Sequence, residues 1–129
     1  MKKKQFLWLG FFVVLTVVIL VFDSKNFSQP SKLEGGFKEV GFYRNENNDG
    51  PVVRIYSVTV KDPSIAKYED YGSAMPYTLY GNTKVYFFDA KEQAPTKLVF
   101  NSPHFDTLNY KAIKIYERNG ANTVSLKDN

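Results

Sequence analysis

The sharpest break in the hydropathy pattern comes near the N-terminus. Phe6 to Phe22 reads FLWLGFFVVLTVVILVF, 17 residues without a charge, preceded by Lys2, Lys3 and Lys4 and closed by Asp23. As a helix rising ~1.5 Å per residue the run is about 25 Å long, slightly short of a ~30 Å hydrocarbon core, and lysine side chains reaching the headgroups make up the difference. The pattern predicts an N-terminal transmembrane helix, so that residues 1–22 form a lysine-led membrane anchor. A cleaved signal peptide begins in the same order but carries an apolar part of about 7 to 15 residues and then small residues spaced one apart. Phe22-Asp23-Ser24 and Asn26-Phe27-Ser28 put a large or polar residue at the first of those two positions.

After the anchor the pattern changes to short β-rich segments broken by turns. Residues 23–36, DSKNFSQPSKLEGG, are polar, carry Pro30 and end in a glycine pair, which reads as a flexible linker. From Phe37 to Asn129 the chain reads as one extracytoplasmic β-rich domain. Phe37 to Arg44 and Pro51 to Val60 form two strands across a polar turn at 45–50. Asp62-Pro63 followed by Gly72 predicts one short helix, with Ile65 and Tyr68 packing and with Glu69 and Asp70 near its C-terminal, negative end. Further strands are expected around Val85 to Phe88, at Thr96 to Phe100, at Tyr110 to Asn119 and at Thr123 to Lys127. In the Tyr110 strand Ile113 and Ile115 are expected on one face and Lys114, Tyr116 and Arg118 on a wet one; in the last strand Val124 and Leu126 point inward. Asn119-Gly120 is a strong hairpin dipeptide. The fold class is α+β: a transmembrane helix, then an antiparallel sheet of about five or six strands with one short helix against it.

Charge narrows the partners. Three of the 17 Lys and Arg residues precede the apolar run, leaving 14 against 13 acidic residues beyond it. The domain is nearly neutral and lacks the concentrated basic face that nucleic acid requires, so no nucleic-acid partner is expected. By the positive-inside rule the leading lysines keep the N-terminus in the cytoplasm and place the C-terminal domain outside it, in the periplasm if the cell is bacterial. With no cysteine there is no acylated lipoprotein anchor, thiolate metal site or disulfide, and the domain has to be held by core burial.

Three constellations carry possible chemistry. Ser102, His104 and Asp106 alternate in NSPHFD, but residues two apart in a strand stand nearly 7 Å apart, at about twice the reach of a catalytic triad, so a turn is expected here. Asn45-x-Asn47-x-Asp49-Gly50 resembles the opening of a calcium loop, yet the twelfth position, which calls for a bidentate Glu, is Tyr56. The third is aromatic: Tyr68, Tyr71, Tyr77 and Tyr80 fall within 13 residues and form a candidate interaction surface, since tyrosine combines a rigid apolar ring with a polar tip. No catalytic, cofactor-binding or metal-binding residue is expected. The sequence points to a single-span membrane protein, anchored through Phe6 to Phe22, whose small domain contacts a protein partner in the cell envelope. The alternatives are a membrane-tethered module for a small ligand, peptide or glycan, and a secreted form if the apolar run is a cleaved signal.

Overall fold

A computed structural model describes residues 2–25, 30–45 and 50–129, with helix side chains described from Lys3 to Ile19. Helix α1 spans Lys2–Lys25 and carries the apolar run. A short 3-10 turn, Pro30–Lys32, precedes β1 (Phe37–Arg44), β2 (Val53–Val60), α2 (Tyr68–Ala74), β3 (Asn82–Asp89), β4 (Lys114–Arg118) and β5 (Val124–Asp128). The fold is α+β: an N-terminal helix and a five-stranded mixed sheet in the order β1-β2-β3-β4-β5 with one short helix against it.

Among the described residues no helix is long and apolar enough to cross a membrane. The part of the run whose side chains are described, Phe6 to Ile19, has 14 residues, roughly 21 Å of helix. The side chains of the last three positions, 20–22, lie outside the described residues.

The expected all-antiparallel sheet is corrected at its centre, where β2 and β3 run parallel, Val53 beside Asn82 through Val60 beside Asp89. The reason is the crossover. The chain between these strands carries α2 over one face and returns to the starting end, so β3 must run in the same direction as β2. The pairings β1/β2, β3/β4 and β4/β5 are antiparallel, with a bulge in β1 between Glu39 and Gly41.

Helix α2 also differs from expectation. Asp62 accepts hydrogen bonds from the Ser64 amide and hydroxyl and makes a local turn, and the helix starts at Tyr68 without a side-chain cap. Glu69 and Asp70 therefore sit in the first turn, where the positive end of the helix dipole favours them. Ile65 is exposed instead of packing. Gly72, read as the stop, is inside the helix, and a Cβ there would lie 2.3 Å from the Tyr116 ring. Only glycine lets α2 approach β4 this closely.

Both faces of the sheet are covered, as the largely buried central strands require. On the helix face Phe37, Tyr56, Val58, Val60, Val85, Phe87 and Tyr116 pack with Tyr68, Tyr71 and Met75. On the other, Ile55, Tyr86 and Phe88 lie under Leu98, Ala112 and the partly buried Phe105 and Tyr110 of the long connection 90–113. That connection includes the expected strand Thr96–Phe100, which does not form, because β4 takes the edge of β3 it would have needed and Val99 and Phe100 are exposed. Tyr116, assigned to a wet face, is fully buried beneath α2, and Ile113 and Ile115 pack on opposite faces because the strand begins only at Lys114. Val124 packs partly against the helix-side core, whereas Leu126 is exposed on the edge strand.

Residues 30–36, the second half of the expected linker, lie on the domain. Leu33 is partly buried against the core, and the carbonyls of Glu34, Gly35 and Gly36 accept from the amides of Lys67, Asp62 and Lys61.

Candidate functional site

The four clustered tyrosines divide into two pairs. Tyr68 and Tyr71 come from α2 and are buried at 7% and 4% exposure. Their rings surround Phe37 and Phe87 with centroids 4.6 to 6.1 Å apart, mostly edge to face. The Tyr68 hydroxyl donates to the Pro63 carbonyl at 2.8 Å. Burial pushes the Tyr71 phenol up to about 12, with Glu39 and Tyr56 adding to the effect. These two rings are core.

Tyr77 and Tyr80 lie in the loop that leads from α2 into β3 and are 53% and 75% exposed, with Leu79 between them at 65%. The loop is fastened on several sides. Thr83 donates to the Pro76 carbonyl, Arg54 Nη1 donates to Thr78 Oγ1 at 2.7 Å, and the Gly81 amide donates to the Thr78 carbonyl. The Arg118 guanidinium stands 4.1 Å from the Tyr77 ring centroid, a cation–π contact. Tyr80 holds a left-handed backbone, φ 65°, next to the β4–β5 turn at Gly120. A large side chain in that conformation persists only where its surroundings enforce it.

Register adds what the sequence reading did not select. Arg44 pairs with Arg54, Arg54 with Thr83, Thr83 with Arg118 and Arg118 with Val124. One rung across the whole sheet thus carries three arginines. Each stands at or near the end of its strand, and only the pairing of strands distant in sequence reveals that they are neighbours. A hint was present in the placement of an arginine at a border of three strand segments.

The remaining candidates are committed locally. His104 is 7% exposed, and its Nδ1 lies 3.0 Å from the Val99 carbonyl. Its backbone, φ 74°, is tied by a bond from the His104 amide to the Asn101 carbonyl. Asp106 accepts from the Asn109 side chain and the Leu108 amide, which hold its carboxyl below the usual carboxylate range. The Asn45 side chain accepts from the Val53 amide and donates to the Pro51 carbonyl, closing the ends of the β1–β2 turn. Asn47 and Asp49 lie outside the described residues. Among the described residues no three His, Asp or Glu side chains gather as metal donors.

Comparison with known proteins gives no family: no protein-family model, no curated protein and no solved structure matches this chain.

Proposed function

We propose that this is a single-span, membrane-anchored protein whose small extracytoplasmic domain makes protein contacts in the cell envelope. The observation that carries the reading is the state of α1. From Phe6 to Ile19 every side chain is exposed, including Phe6 at 79%, Trp8 at 69% and Phe11 at 63%, and none belongs to either core cluster of the domain. Apolar surface left in water costs roughly 25 cal/mol per Å². A helix that is apolar all round is stable against lipid. Lys2, Lys3 and Lys4 extend its reach to the headgroups and orient the N-terminus toward the cytoplasm.

Carbonate extraction of native membranes and, separately, protease treatment of intact membranes from outside test this. The full-mass chain is expected in the carbonate pellet, and protease on the intact membranes is expected to remove the C-terminal domain. Release of a shortened soluble form would instead make the apolar run a cleaved signal peptide.

A further inference from the structure

We propose that the end of the sheet carrying the arginine rung and the Tyr77–Tyr80 loop is a docking site for an acidic, partly apolar segment of a partner protein. The proposal rests on the envelope-contact reading and names its surface and the chemistry of its partner.

The rung is the first reason. Arg44 and Arg54 face each other directly across β1 and β2, and Arg118 follows one strand beyond Thr83. At ~4.8 Å per strand the row spans about 14 Å. Like charges directly opposite in a sheet oppose folding, so the row is a cost to the free domain that an anion removes. Among the described residues the ion pairs are Lys84–Glu117 and Lys114–Asp128, and neither includes an arginine of the rung. The Arg118 Nε is buried without a hydrogen-bond partner. A guanidinium offers a planar fork that matches a carboxylate, and three in a row match carboxylates spaced along an extended peptide.

The loop is the second reason. Tyr77, Leu79 and Tyr80 offer an apolar tip beside the charges, and the ties from Arg54, Arg118 and Thr83 hold it in one shape before any partner arrives. Preordered contact residues lose little entropy on binding. A partly apolar partner fits this surface better than a free phosphate does.

The rung lies away from the point at which the chain from the anchor enters the domain. The chain from the anchor enters the sheet at Phe37, beside Val60, whereas the rung lies at the opposite end of the same strands. Eight-residue strands separate those ends by roughly 23 Å.

The test uses the full-length chain in nanodiscs of zwitterionic lipid and a fluorescein-labelled peptide of alternating Glu and Leu. The peptide is expected to bind, its Lys-for-Glu counterpart is not, and Arg44→Gln and Arg54→Gln are each expected to weaken binding about tenfold, as loss of a charge-assisted hydrogen bond implies. Unchanged near-ultraviolet circular dichroism will show that the variants remain folded. Binding that ignores both substitutions, or that is matched by inorganic phosphate or by anionic vesicles, overturns the proposal.

A photo-crosslinking residue at position 79 or at position 108, on the connection over the other face and 92% exposed in the native chain, separates this proposal from the broader reading. In native membranes, capture from position 79 of a net-acidic peptide, lost with Arg54→Gln, supports the docking site. Capture of a protein only from position 108 overturns the docking site and leaves the envelope-contact reading standing. Capture from neither position counts against both.

Discussion

Tyr71 and Tyr80 are nine positions apart in one aromatic-rich stretch, yet one is 4% exposed and the other 75%. The difference lies in what each backbone is attached to. Tyr71 is on α2, whose docking is set by the absence of a side chain at Gly72 over Tyr116, so its ring enters the space between helix and sheet. Tyr80 is on a loop fastened by hydrogen bonds from Arg54 and Thr83 and by the Tyr77–Arg118 stack, so the same side chain is held outward. The same residue type supports a core in one place and a surface in the other, and a local count of tyrosines cannot separate the two.

The separation is broken most directly by truncation. Tyr71→Ala is expected to cost about 3–5 kcal/mol, the range for removing a large buried ring, measured by urea denaturation of the full chain in detergent. Tyr80→Ala should change stability by no more than about 0.5 kcal/mol in the same measurement, as for an exposed side chain. Equal losses would make the tip part of the core and remove the distinction. Gly72→Ala comes next. The added methyl meets the Tyr116 ring and is expected to cost about 1–3 kcal/mol, as overpacking does, whereas an alanine at Gly10, where the Cβ position is open, meets no such contact.

A base titration sharpens the comparison from the core side. Burial raises the phenols of Tyr71 and Tyr86 from 10.0 to about 12, so the folded chain holds these protons more tightly than the unfolded chain does. Their contribution to stability is complete below pH 10 and is lost as the pH rises toward about 12. Phenolate absorbance and near-ultraviolet circular dichroism followed together should show these rings ionising with unfolding. Tyr71→Phe, which has no phenol to ionise, should shift the transition to higher pH. A small effect of opposite sign belongs to the arginine rung. Arg44→Gln removes one member of a like-charged cross-strand pair and should stabilise the domain by about 0.2–1 kcal/mol at low salt, a gain that added salt diminishes.

Local signals carried well where local chemistry decided. The polar break at 45–50 separates β1 from β2, and Asn45 closes that turn by bonding Val53 and Pro51. Asn119-Gly120 marks the β4–β5 turn, although the connection is wider than a two-residue hairpin: Asn119 accepts from the Ala121 and Thr123 amides, and Asn122 takes the left-handed conformation. Signals failed where a segment's partner decided. Thr96–Phe100 has β-rich composition but stays outside the sheet, where Leu98 packs over the face opposite α2. Lys114 to Arg118 alternates like a half-wet strand, yet Tyr116 is fully buried because α2 crosses over it. The candidate surface was half legible. Tyr77 and Tyr80 were visible in the sequence, whereas the arginine rung required the register of four strands.

By itself the sequence determined the apolar run with its leading lysines, the near-neutral charge of the rest, the absence of any thiol chemistry, and the α+β character of the domain, because each follows from composition or from contacts within a few residues. The tertiary structure alone decided that β3 returns parallel to β2, that Tyr68 and Tyr71 face inward while Tyr77 and Tyr80 face outward, and that Arg44, Arg54 and Arg118 stand in one row. These depend on which distant segments pair and on how closely α2 can approach the sheet. Period and propensity specify a strand and the two faces it has; its neighbours determine which of those faces meets water.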